Sequence, residues 1–143
     1  MITCYIGIGS NIGDRRKYVD SAIRELKKNK SIRFKKASSI YETEPVGEVA
    51  QGKFLNGVLE VETSLTPIEL LMVLNNIEKA LGRARSVKNG PRTMDLDILY
   101  YGNKKINKKD LIIPHPRISE REFVLKGLRE LGKAPLDLLK RDG

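Results

Sequence analysis

Gly90-Pro91-Arg92-Thr93-Met94-Asp95-Leu96-Asp97-Ile98-Leu99 sets two carboxylates two residues apart inside an otherwise apolar run. Continued to Tyr101, the run predicts a strand over residues 93–101, because strand side chains alternate. Asp95 and Asp97 then share one face, while Met94, Leu96, Ile98 and Tyr100 supply the opposite, buried face. Aspartate disfavours strands, and two like charges held side by side are costly unless something neutralises them; a hard divalent cation such as Mg²⁺ does so. With Arg92 just upstream, the stretch reads as a polyphosphate site. A bare Asp-x-Asp is more often a solvated strand face with no ligand, but polar residues forced into an apolar strand are the local inconsistency expected where a site sits.

The segments before and after this strand fix its surroundings. Residues 2–9 read as a first strand, followed by the turn Ser10-Asn11-Ile12-Gly13-Asp14. Val19, Ala22, Ile23 and Leu26 recur at helical spacing, predicting a helix from about residue 15 to 28. Residues 32–43 read as one long second strand, 44–52 as a loop and 54–63 as a third strand antiparallel to the second. Thr66-Pro67-Ile68-Glu69 combines an N-cap threonine, a proline at the first helical position and a capping-box glutamate; its helix reaches Gly82, a left-handed stop.

After the Asp95–Asp97 strand, Gly102-Asn103 signals a hairpin turn, and Leu111-Ile112-Ile113 a short strand ending at Pro114-His115-Pro116. Ser119-Glu120-Arg121-Glu122 reads as a second capping box, opening a helix whose Phe123, Val124, Leu128 and Leu131 face the core. The order β-α-β-β-α-β, with a hairpin extension and a C-terminal helix, predicts an α+β fold. It is that of the ferredoxin-like sandwich, an antiparallel sheet with helices packed on it, formed as a single domain over residues 1–143.

With 143 residues, 40% of them hydrophobic, the chain can bury one proper core. Its one cysteine, Cys4, allows no intramolecular disulfide, which points to a reducing, cytoplasmic setting with Cys4 as a small buried hydrophobe. No run approaches the roughly 20 apolar residues of a membrane span, so a soluble protein is expected. A net charge of +9 and a pI near 9.7 favour polyanionic partners, whether nucleic acid, membrane surface or nucleotide. The lysines at 27, 28 and 30 and at 104, 105, 108 and 109 read as helix-end and turn residues in solvent. Arg83, Arg85, Lys88 and Arg92 instead cluster directly before the aspartates, in a glycine- and proline-containing segment, and are the functional group.

Two carboxylates on one strand face can hold a pair of Mg²⁺ about 3.5–4 Å apart, clamping phosphoryl oxygens. Arginines suit the remaining oxygens because the guanidinium binds them bidentately; Arg92 is the first candidate, then Arg83. His115, the only histidine, has a packed structural role as its default reading, but flanking prolines fix its backbone at a strand end, and phosphate hydrogen bonding suits it better than Mg²⁺ ligation. Asn56 and Thr43 can read a heterocycle, or simply be satisfied strand and turn residues. Phe54 and Phe123 can stack on a planar ring, with core packing the alternative. Gly7-Ile8-Gly9 is too short for a nucleotide fingerprint, and no G-x-x-x-x-G-K-[ST] is present.

The stretch from Gly90 to Leu99 strongly resembles the signature of the 6-hydroxymethyl-7,8-dihydropterin pyrophosphokinase family. Ile8-Gly9-Ser10-Asn11, Tyr41-Glu42-Thr43-Glu44-Pro45-Val46-Gly47, Phe54-Leu55-Asn56, Glu78 before Gly82-Arg83, and Pro114-His115-Pro116-Arg117 with Arg121 and Phe123 are similar to it in the same order. Where some members carry a tryptophan just before Gly-Pro-Arg, this chain has Asn89. The resemblance implies transfer of the terminal diphosphate of ATP to the hydroxymethyl group of the reduced pterin, releasing AMP. It implies Asp95 and Asp97 as ligands of two Mg²⁺, catalytic with Arg83 and Arg92, and Arg83, Arg92, His115, Arg121 and Glu78 on ATP. Thr43, Pro45, Val46, Phe54, Asn56, Asp95 and Phe123 would hold the pterin. The implied partners are these two small molecules, with neither nucleic acid nor membrane, for a chain expected to be monomeric.

Two other functions fit parts of the pattern. RNA-recognition modules share the element order and positive charge, but their glycine- and aromatic-rich strand is missing and paired aspartates on the sheet would repel phosphate without metal. Another two-metal phosphoryl or nucleotidyl transferase explains Asp95 and Asp97 equally well, and differs in having no use for the pterin-reading residues.

Overall fold

The computed structural model describes residues 1–44, 52–82 and 94–132. Its elements are β1 (Ile2–Ser10), α1 (Arg15–Lys28), β2 (Ile32–Ala37), β3 (Tyr41–Thr43), β4 (Phe54–Thr63), α2 (Pro67–Ala80), β5 (Asp95–Tyr101), β6 (Ile106–Lys108), β7 (Leu111–Ile113) and α3 (Glu122–Glu130), with a 3-10 turn at Ile118–Glu120. The main sheet runs β2-β4-β1-β5, with β3 also paired to β4. Its pairings are all antiparallel among the described residues, which is the ferredoxin-like order.

The helices start where their caps dictate. Asp14 accepts the Lys17 N–H at 3.2 Å to open α1. At α2 the capping box closes in both directions, with Glu69 N–H donating to Thr66 Oγ1 and Thr66 N–H to the Glu69 carboxylate. Both helices lie on one face of the sheet, where Ile6, Leu59 and Leu96 pack with Leu26 and Leu74. Cys4 is buried in this layer, and burial pushes its thiol up to about 12. The other face carries Tyr5, Val58, Leu99 and Tyr100, covered by Val124 and Leu128 of α3. Since α3 is only nine residues long, it covers one end of that face and leaves the other to the site. None of the described helices is long and apolar enough to cross a membrane.

Four expectations are corrected. The register of β1 with β5 passes from Tyr5–Tyr100 to Ile6–Ile98, so one extra residue enters at Leu99. Such a bulge reverses the alternation beyond it, and Tyr100 therefore joins the α3 layer instead of sharing a face with Leu96 and Ile98. The long second strand is two, broken at residues 38–40, because Ser38 Oγ accepts the Val58 N–H at 2.8 Å and so replaces a main-chain carbonyl in the ladder. The turn at Gly102-Asn103 closes no hairpin on β5: Gly102 N–H donates inward to Thr3 O, and the hairpin pairs β6 with β7. The second capping box does not form. Burial of Ile118 draws Ser119 into the 3-10 turn, and α3 starts after Arg121 with no side-chain cap bond.

Gly127 sets how closely α3 approaches the sheet, since a Cβ there would sit 2.5 Å from Val58 Cγ2. Alanine is about 1 kcal/mol better than glycine in a helix, whereas overpacking a core costs about 1–3 kcal/mol. Steric cost should win, so Gly127→Ala is expected to lower the urea midpoint. A raised midpoint would mean that α3 lifts freely from β4.

Candidate active site

Cross-strand register assembles the site. Tyr41 on β3, Asn56 on β4, Gly9 on β1 and Asp95 on β5 stand in one row across the sheet. Val58, Gly7 and Asp97 form the next row on the same face. Neighbouring strands lie about 4.8 Å apart, which places Asn56 and Asp95 about 10 Å from each other. Between them the two glycines contribute no side chain, leaving a trough from the amide to the carboxylates. Gly9 is required there, because a Cβ would come within 2.5 Å of Asn56 Oδ1.

Over this row lies a cavity of about 500 Å³, lined on the sheet side by Thr43, Phe54, Asn56 and Asp95 and on the other by Arg121 and Phe123. A small cleft adjoining it reaches Gly7, Gly9 and Asp97. Asn56 Nδ2 donates to Thr43 Oγ1, so the two polar groups form one unit. Phe54 and Phe123 are half-buried on opposing elements, an arrangement able to take a flat ring between them. Arg121 is the N-cap residue of α3 but makes no side-chain cap bond, and its Nη1 stands 3.8 Å from Asp97 Oδ2.

His115 is held beside this group by its main chain, whose N–H donates to Leu99 O at 3.0 Å. Its Nδ1 accepts the Arg117 N–H at 3.2 Å, so in the neutral ring Nε2 carries the proton and is free to donate outward. Desolvation, then the Arg121 charge, hold its pKa below the ordinary 6.5, against a smaller opposing pull from Asp95. A histidine with a depressed folded pKa takes up protons more readily unfolded. Its contribution to stability is therefore complete above pH 6.5 and lost as pH falls through the folded value. With a single imidazole in the chain, its proton NMR signal is expected to titrate below 6.5; a midpoint above 6.5 would show that Asp95 dominates.

Glu78 lies on α2, only 3% exposed, and its Oε2 accepts the Leu96 N–H at 2.8 Å. It thus fixes the main chain between the two aspartates and stands apart from the cavity lining. Asp95 and Asp97 present hard oxygen donors on one face, and no cluster of three or more His, Cys, Asp or Glu able to hold a metal occurs among the described residues. That donor set fits Mg²⁺, which keeps several waters and takes further oxygens from phosphate, better than a metal needing an all-protein cage. Pro45, Val46, Arg83 and Arg92 lie outside the described residues, as do Arg85, Lys88 and Asn89.

The sequence pattern of the family described as 7,8-dihydro-6-hydroxymethylpterin-pyrophosphokinase (HPPK) matches residues 5–133. The chain belongs to this family. A 2-amino-4-hydroxy-6-hydroxymethyldihydropteridine pyrophosphokinase of Bacillus subtilis is 50% identical over 127 residues, covering 89% of this chain and 76% of the relative. One of Aquifex aeolicus is 43% identical over 131 residues, covering 92% and 81%. A crystal structure of Plasmodium falciparum HPPK-DHPS superposes with a TM-score of 0.73 at 14% identity, covering 98% of this chain and 43% of that one, a likeness of fold. The HPPK match includes every candidate site residue named above.

Sequence reasoning missed two parts of this HPPK site. Gly7-Ile8-Gly9 reads as a failed nucleotide fingerprint, and Gly9 as part of the family-like Ile8-Gly9-Ser10-Asn11, although glycines at alternate strand positions already signal a close approach on one face. Tyr41 lines the cavity; its signal in the sequence is its place at the head of the family-like run from Tyr41 to Gly47, while its role depends on pairing with Asn56.

Proposed function

We propose that this chain transfers the terminal diphosphate of ATP to the hydroxymethyl group of 6-hydroxymethyl-7,8-dihydropterin, a step of folate biosynthesis. The acceptor oxygen bonds to the β-phosphorus, the bond from that phosphorus to the α–β bridging oxygen breaks, AMP leaves with that oxygen, and the hydroxyl proton is released. The observation that carries this reading is the row Asn56–Gly9–Asp95. It offers a heterocycle-reading amide and a carboxylate two strand spacings apart across a trough without side chains. A bicyclic ring with a one-carbon arm bridges that gap.

In this reading the pterin lies between Phe54 and Phe123, its polar edge on Thr43 and Asn56 and its arm along Gly9 toward Asp95, with Pro45 and Val46 completing its pocket. Asp95 and Asp97 would hold the Mg²⁺, two ions expected, and the metal would supply charge neutralisation for the triphosphate. Arg121 and the Nε2–H of His115 bind phosphate oxygens, Arg83 and Arg92 act on the charge that develops as AMP departs, and Glu78 belongs to the ATP side through the strand it anchors. The chain acts in the cytoplasm as a monomeric single domain, without nucleic acid or membrane. The test is AMP release from ATP by the purified protein with Mg²⁺, with and without the reduced pterin. AMP formed only with pterin is expected; equal release without it, or no turnover with it, overturns the reading.

A further inference from the structure

Beside the cavity, Lys126 and Glu130 continue the face of α3 that carries Phe123, and neither has a part in the reaction just described. Phe123, Lys126 and Glu130 recur on one face of α3 at helical spacing. The first two line the cavity. The third reaches across to the break between β2 and β3: Glu130 Oε2 accepts the Ser39 N–H at 2.6 Å, and Oε1 accepts the Tyr41 hydroxyl. The Lys126 ammonium stands 5.8 Å from the centroid of the Tyr41 ring, within cation–π range. Tyr41 itself is the far end of the cross-strand row, one strand beyond Asn56 and three from Asp95.

We infer that Glu130 is a positioning residue for the acceptor: by holding Tyr41 and Ser39 it makes Tyr41 the end wall of the cavity. It also fixes the separation between Phe123 on α3 and the Thr43–Phe54–Asn56 wall on β3 and β4. Two features of the fold make such a tie necessary. β3 is only three residues long and starts after the ladder is interrupted, so its own pairing with β4 places it weakly. The buried contacts of α3, at Val124, Gly127 and Leu128, lie on its sheet-facing side, and the Glu130 carboxylate bonds its C-terminal end to β3. The inference rests on the acceptor occupying this cavity, as proposed above.

The test compares Glu130→Ala, Glu130→Gln, Tyr41→Phe and, as the control for acceptor placement, Asn56→Ala, in full steady-state kinetics with a urea midpoint for each. Glu130→Ala is expected to raise the KM for the pterin about fivefold, the scale of one ordinary net hydrogen bond, with kcat and the KM for ATP within about twofold. Glu130→Gln should restore the KM, since its amide oxygen still accepts from Ser39 and its NH₂ donates to the Tyr41 oxygen. Tyr41→Phe, which removes one oxygen and keeps the wall, should fall between. An unchanged pterin KM in Glu130→Ala, or equal changes in both KM values, overturns the inference. If the Glu130→Ala midpoint drops, Tyr41→Phe decides by the same criterion. Asn56→Ala separates the two levels: if it raises the pterin KM while Glu130→Ala does not, only the Glu130 role fails; if neither does, the acceptor lies elsewhere.

Discussion

Asp97→Ala is expected to reduce kcat by about a thousandfold or more and to leave the protein folded. A ligand oxygen for metal-bound phosphate contributes several kcal/mol of transition-state stabilisation, and each 1.36 kcal/mol is tenfold in rate. The structural cost should be far smaller. Asp97 is about one-third exposed and its ion pair with Arg121 spans 3.8 Å, a partly solvated pair of the kind worth about 0–1 kcal/mol. Its removal also relieves repulsion with Asp95 on the same strand face. Activity and stability should therefore separate: little or no turnover at saturating ATP and pterin, and a urea midpoint close to the parent. The expected pattern includes loss of the Mg²⁺ dependence of nucleotide binding. A variant that fails to fold would assign Asp97 a structural role, and one that folds with kcat within tenfold of the parent would remove it from the metal site.

Much of this fold was legible because its decisive signals are local. The capping box at Thr66, the spacing of Val19, Ala22 and Leu26, and the alternation from Met94 to Ile98 each follow from contacts within a few residues, and each holds. The misreadings concern long-range pairing. Nothing near Leu99 announces an extra residue, since the bulge exists only relative to Tyr5 and Ile6 across the sheet. The break after β2 depends on Ser38 meeting Val58, 20 residues away. The lost capping box at Ser119 depends on where Ile118 finds its core. The site follows the same rule: a pair of aspartates two residues apart can be read from sequence, whereas a row through four strands needs the register.

That row makes Gly9→Ala the second large expected effect, an increase of about a hundredfold in the KM for the pterin. The new methyl would lie 2.5 Å from Asn56 Oδ1, and no backbone movement readily relieves it, because Gly9 is paired to Asn56 on one side and Asp95 on the other. Asn56 must turn, and since its Nδ2 donates to Thr43 Oγ1, both heterocycle-reading groups are displaced together. A site built to hydrogen-bond its substrate loses far more than one packing contact when those groups are misplaced. ATP affinity, measured without pterin, should stay within about twofold, because the described groups proposed for phosphate, on β5, at Arg121 before α3 and at the His115 turn, do not include Asn56 or Thr43. A double-mutant cycle supplies the decisive comparison. If the methyl acts through Asn56, then Gly9→Ala added to Asn56→Ala should cost less than about a fifth of what it costs alone. Additive effects would mean that the methyl obstructs the trough directly, and the row would then bind its acceptor by shape alone.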